Sequence, residues 1–256
     1  MNADIAEGVR TPFYYYDKAL LGKTLDEIER CTAGTPMKVH YAIKANHSPE
    51  VLGMIAARGL GADCVSGNEI KAAVECGFRP ERIYYAGVGK TDEEILTGID
   101  AGIGCFNIES VEEIGIISDL ASSRGKDVTV ALRVNPNIDA HTHHYITTGL
   151  KENKFGIDLA LLDEAIMRVR QSPRLRLGGL HFHIGSQITT NEPFRILCER
   201  INTLKERYER EGIRFSFFNV GGGLGIDYEN PDGNPIPDFA GYFSTILGNL
   251  KLDKGQ

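Results

Sequence analysis

Five short stretches of the 256-residue chain carry side chains that could do chemistry. In Val39-His40-Tyr41-Ala42-Ile43-Lys44-Ala45-Asn46, period-two alternation puts His40, Ala42 and Lys44 on one face, with Lys44 ending the strand. In a parallel barrel that end is the active-site rim. A lysine partly desolvated there has its charged form disfavoured, which frees the amine for attack on a carbonyl; the plain alternative is a lysine snorkelling at a strand end. Asp63, in Gly61-Ala62-Asp63-Cys64-Val65-Ser66, is a carboxylate within a strand. Arg133, in Ala131-Leu132-Arg133-Val134-Asn135-Pro136, is a charge inside an apolar strand and requires an anionic partner or water.

The fourth stretch, His181-Phe182-His183-Ile184-Gly185-Ser186, places two histidines on one strand face. That spacing suits a shared metal, and equally suits one imidazole stacking on a ring. The fifth, Asn219-Val220-Gly221-Gly222-Gly223-Leu224-Gly225, directly follows a strand, and backbone N–H groups there could close on a phosphate. A bare tight turn is the alternative. It is not a dinucleotide fingerprint, because the sixth position is Ile226 counted from Gly221 and Tyr228 counted from Gly223. Gly87-Val88-Gly89-Lys90-Thr91 ends like a P-loop but has Tyr84 where that motif needs its first glycine.

A metal site would need further ligands, and His141, His143, His144, Asp63 and Asp227 could supply them, so a metal-dependent barrel hydrolase using His181 and His183 is a rival. A metal, however, has no use for a glycine cradle or a strand-end lysine. Lysine, carboxylate, arginine, histidine and phosphate cradle together fit an aldehyde-bearing phosphate cofactor, with pyridoxal 5′-phosphate the economical candidate.

These residues need a scaffold. Short apolar or β-branched runs alternate with helical stretches, the pattern of βα units around a parallel sheet. After an extended segment at Pro12–Tyr16 and a helix over Lys18–Cys31, strands are expected at Lys38–Ala45, Ala62–Ser66, Ile83–Gly87, Cys105–Glu109, Thr129–Asn135, Leu177–Ile184 and Ser216–Val220. Thr24/Glu27, Ser66/Glu69, Thr91/Glu94 and Ser110/Glu113 read as capping boxes that open helices. Pro136–Phe155 is one long non-periodic stretch, and such loops are usually functional. Unbroken alternation leaves a closed barrel or a doubly wound sheet. A phosphate-type turn after the seventh strand favours the barrel.

Composition narrows the partners. Apolar residues are 42% and charged residues 25%, which excludes disordered and fibrous classes, while 29 glycines imply many tight turns or close approaches. A net charge of −7 with no Lys/Arg block offers nothing to nucleic acid or an anionic membrane. The five cysteines form no CxxC pair, no apolar run approaches 18 residues, and Met1–Gly8 is acidic and polar. A cytoplasmic protein with reduced thiols is expected.

Tyr-Ala-Ile-Lys-Ala-Asn (41–46), Gly-Ala-Asp-Cys-Val-Ser-Gly-Asn-Glu (61–69), His-Phe-His-Ile-Gly-Ser-Gln (181–187) and Asn-Val-Gly-Gly-Gly-Leu-Gly (219–225) resemble, in order, the fold type III pyridoxal-phosphate decarboxylases with their alanine-racemase-like barrel. Residues 86–92, and 133–136 through 148–156, resemble the branch that converts meso-2,6-diaminopimelate to L-lysine and CO2. Branches acting on ornithine, lysine, arginine or carboxynorspermidine are alternatives, as is a non-catalytic relative.

The resemblance implies that Lys44 holds the cofactor covalently, that His183 stacks on its ring and that Ser186, Gly221, Gly222 and Gly223 bind its phosphate. Asp63 and Arg133 would line its surroundings, and the full-length protein would be a homodimer acting on a small amino acid. The implied architecture is an α/β, (β/α)8 TIM-type barrel over 17–256, preceded by an extended segment, 1–16, that pairs in the family with a C-terminal β domain. The chain ends at Leu252-Asp253-Lys254-Gly255-Gln256, before the family's Glu-x-Gly-Arg motif, so an eighth strand and that β domain are expected to be lacking.

Overall fold

The computed structural model describes residues 8–136 and 155–255. Seven parallel strands lie in one sheet in the order of the chain: β1 (His40–Ala42), β2 (Gly61–Cys64), β3 (Ile83–Tyr85), β4 (Cys105–Ile108), β5 (Val128–Arg133), β6 (Leu175–His181) and β7 (Phe217–Asn219). Helices α1 (Lys18–Thr32), α2 (Pro49–Ala57), α3 (Gly67–Glu75), α4 (Asp92–Ala101), α5 (Val111–Arg124), α6 (Leu162–Gln171), α7 (Glu192–Arg210) and α8 (Phe239–Asn249) precede, connect or follow them.

Alternation along each strand sorts the side chains into two layers. Ala62, Cys64, Ile83, Tyr85, Phe106, Ile108, Val130, Leu132 and Leu180 join the helices in one buried apolar core. The opposite face carries Asp63, Tyr84, Asn107, Ala131, Arg133 and His181. The register sets them in rows: Ala42, Asp63 and Tyr84 level on β1 to β3, and Arg133, His181 and Asn219 level on β5 to β7. The sheet curls around this second face. Tyr84 of β3 reaches His40 of β1 at 4.3 Å and Phe217 of β7 at 5.5 Å between ring centroids.

A bulge in β6 aims the histidines. Pairing with β5 jumps from Val130↔Leu177 to Ala131↔Gly179, leaving Gly178 as the extra residue. Without it Leu180 would stand opposite Arg133; with it His181 does. A Cβ on Gly178 would lie 2.6 Å from Thr129 Cγ2 and 2.8 Å from Phe217 Cε1, so any larger residue would have to displace those two side chains.

Several expectations need correction. All seven expected strands form, but each is shorter than its expected run, because the chain leaves the ladder to turn toward the next helix. Lys44 is not on β1: after Ala42 the chain tightens into a 3₁₀ turn, Ile43–Ala45, closed by Asn46 N–H to the Ile43 carbonyl at 3.1 Å. Thr24 caps nothing. It lies inside α1 and bonds the Leu20 carbonyl at 3.0 Å, while Asp17 caps that helix. Thr91/Glu94 is a full capping box. Ser66 and Ser110 accept the expected N–H bonds from Glu69 and Glu113, whose carboxylates instead reach one residue further back, to the amides of Val65 and Glu109.

Candidate functional site at the C-terminal rim

Lys44 stands at the rim on its 3₁₀ turn, with an exposed side chain rather than the partly desolvated one expected. Asp63 projects from β2 into the lumen. Burial raises its pKa to about 6; the Lys44 and Arg133 charges oppose the shift, and the Glu69 and Glu109 carboxylates reinforce it. Those opposing and reinforcing charges place Lys44, Asp63 and Arg133 in one field.

The partner that Arg133 requires is Glu109, the residue that follows β4. Arg133 Nη1 donates to both carboxylate oxygens, at 2.9 and 2.8 Å, with side-chain exposures of only 14% and 5%. Glu109 Oε1 also accepts the Gly87 N–H at 3.1 Å, tying the arginine to the turn after β3. The Phe155 ring centroid is 5.7 Å from the guanidinium carbon. Sequence reasoning missed Glu109, although a carboxylate closing the apolar run Cys105–Ile108 repeats the signal that singled out Asp63.

The P-loop look-alike is structural. Lys90 is 1% exposed and donates to the carbonyls of Gly87 and Asn107 at 2.8 Å each and to Glu113 at 2.6 Å. Its ammonium also lies 5.4 Å from the Tyr85 ring centroid. It cross-links the ends of β3 and β4 and offers no donor to a phosphate.

Both histidines of the fourth stretch are held neutral at pH 7. Burial and then Arg133 push His181 well below the usual imidazole value, and burial, Arg133 and Lys44 push His183 down to about 4. An uncharged imidazole can lie flat against an aromatic ring with little desolvation cost. Among the described residues, no group of three or more His, Cys, Asp and Glu could hold a metal ion. Asp227 is engaged by the amides of Glu229 and Asn230, at 2.9 Å each, and by Asn234 at 2.8 Å. His141, His143 and His144 lie outside the described residues, as does most of Pro136–Phe155.

Beyond β6 and β7 two turns meet. Phe182 N–H bonds the Asn219 carbonyl, Ile188 N–H the Gly223 carbonyl and Gly225 N–H the Ile188 carbonyl, at 2.8, 2.8 and 2.9 Å. Gly221 and Gly223 have φ of 74° and 110°, and a Cβ on either would strike the carbonyl of Phe182 or Gly185, so only glycine lets the turns pack this closely. A Cβ on Gly221 would also lie 3.2 Å from His183 Nδ1, which sets the glycine turn beside the imidazole. Asn219 Oδ1 accepts the Gly221 N–H at 2.9 Å, whereas the Gly222 and Gly223 amides have no acceptor among the described residues. A Cβ on Gly222 would meet nothing within 4 Å. Ser186, exposed, occupies the facing turn.

An exposed amine, a carboxylate in its field and free backbone donors lie on one rim of a curled parallel sheet, a set with the chemistry to take a carbonyl compound with an anionic tail. The comparisons make this particular. The family model for the pyridoxal-dependent decarboxylase, pyridoxal binding domain, matches residues 21–253, and the chain belongs to that family. It is 50% identical over 245 residues to the diaminopimelate decarboxylase of Bacteroides thetaiotaomicron, covering 95% of this chain and 64% of that one. The crystal structure of diaminopimelate decarboxylase from Helicobacter pylori complexed with L-lysine superposes with a TM-score of 0.88 at 36% identity, over 96% of this chain and 62% of that one. That from M. jannaschii in co-complex with L-lysine gives 0.86 at 33%. The chain thus spans less than two thirds of the length of these relatives.

The family implies pyridoxal phosphate, and the residues present fit it. The free Gly222 and Gly223 amides beside unobstructed space suit a phosphate. Lys44 offers an exposed amine at the rim, and the neutral His183 imidazole offers a ring face.

Proposed function

We propose that the full-length protein decarboxylates meso-2,6-diaminopimelate to L-lysine and CO2, with this chain as its cofactor-binding barrel. The observation that carries this is the 50% identity with the Bacteroides enzyme across 95% of the chain. Pyridoxal phosphate, when bound, supplies the electron sink for the carbon that loses carbon dioxide.

The chain's own residues divide the remaining work. Lys44 holds the cofactor through its Nζ. Asp63, whose pKa burial raises to about 6, lines the cofactor's surroundings within the field of Lys44. His183 covers one ring face and keeps water from it. Ser186 and the turn Gly221, Gly222 and Gly223 bind the phosphate, with Gly221 shaping the turn and the other two donating. Arg133, neutralised by Glu109, lines the lumen wall beside His181.

Residues 17–256 form the barrel, and 1–16 form an extended segment that rests on a C-terminal β domain. The exposed run Tyr14, Tyr15 and Tyr16 supports that docking. The protein acts as a cytoplasmic homodimer without nucleic-acid or membrane partners. All five cysteines are free thiols. No helix among the described residues is long and apolar enough to cross a membrane.

The test is an assay of the full-length protein against diaminopimelate, ornithine, lysine, arginine and carboxynorspermidine. Lysine and carbon dioxide from diaminopimelate are expected. Preferred turnover of another of the five overturns the substrate assignment.

A further inference from the structure

Among the described residues, Gln187 is the non-glycine residue with a left-handed backbone, at φ 55°. Side chains avoid that region because Cβ crowds the neighbouring carbonyl, so something must hold Gln187 there. Its own amide does. Nε2 donates to the Ile226 carbonyl, and Oε1 accepts the Ile226 N–H at 3.1 Å. The adjacent backbone makes the same exchange, through Ile188 with Gly223 and Gly225. The Gln187 side chain therefore adds one more rung to a short ladder between the Ser186 turn and the glycine turn. The approach is close: a Cβ on Gly225 would lie 3.1 Å from the Gln187 carbonyl carbon.

We propose that Gln187 is the positioning residue of the phosphate cradle, fixing Ser186 opposite the free amides of Gly222 and Gly223. This rests on the reading that those residues bind phosphate. Donors from two separate turns serve one anion well only if their spacing is held before it arrives; otherwise binding must also order the turns. A ligand without a phosphate makes no use of that spacing.

The test titrates full-length protein with pyridoxal 5′-phosphate and, separately, with pyridoxal, following absorbance, for the native chain, Gln187→Ala and Gln187→Asn. Asparagine tolerates a left-handed backbone but is too short to reach both Ile226 atoms, so it reports even if the alanine variant does not fold. The dissociation constant for the phosphate ester is expected to rise about tenfold or more, while that for pyridoxal stays unchanged. Equal weakening of both ligands, or no change in either, overturns the proposal. A native chain that binds the two equally contradicts the cradle reading instead.

Discussion

Replacing Glu109 by glutamine keeps the side chain's shape and its bond from Gly87 but leaves Arg133 without its counter-charge. The pair is largely withdrawn from water, with 14% of the arginine and 5% of the glutamate side chain exposed, and one nitrogen bonds both oxygens within 2.9 Å. Removing one partner of such a pair costs about 3–5 kcal/mol, most of it the penalty of a stranded charge. An exposed pair such as Lys18–Glu50, at 60% and 70% exposure, is the contrast. Its loss costs about 0–1 kcal/mol. Urea unfolding of cofactor-free protein measures both. Arg133→Met in the Glu109→Gln background should recover about 1–3 kcal/mol as a coupling energy. A cost for Glu109→Gln below about 1 kcal/mol, or no coupling, would refute the assignment of Glu109 as the partner that makes a buried Arg133 tolerable.

Asp63 has a folded pKa of about 6 against an ordinary 3.8, so between those values the folded chain holds a proton that the unfolded chain has released. Stability therefore falls as pH rises through that window. Asp63→Asn is expected to raise the stability of cofactor-free protein at pH 7 by about 2–3 kcal/mol and to leave it unchanged near pH 3, below the unfolded value; equal effects at both pH values would contradict this. Thr91→Ala removes a real cap and should cost about 1 kcal/mol. Thr24→Ala, inside α1, should cost a few tenths at most or stabilise, and the reverse order of urea midpoints would show that the two threonines are misassigned.

Much of the architecture was legible because parallel βα units announce themselves through alternating apolar runs and hydroxyl caps, and all seven strands fall within or overlap those runs. The illegible parts share a cause: each depends on a neighbour distant in sequence. Arg133 advertised its need for an anion, but only the register of β4 beside β5 identifies Glu109. The Gly178-Gly179 pair marks a bulge, yet its effect, turning His181 toward the lumen, appears only when β6 is laid against β5. Thr24 and Thr91 carry the same Thr-x-x-Glu spacing, and what separates them is that Asp17 already starts α1 seven residues earlier. Lys44 stood out by its type, but the 3₁₀ turn that carries it leaves no period-two trace, which is why the sequence placed it on the strand.

The claim on which the rest depends is that Lys44 is the amine that holds pyridoxal phosphate. Borohydride reduction of the full-length protein with pyridoxal phosphate, followed by peptide mapping, tests it directly. The account predicts one labelled peptide, carrying its modification on Lys44. A label on any other lysine, or none at all, would contradict it.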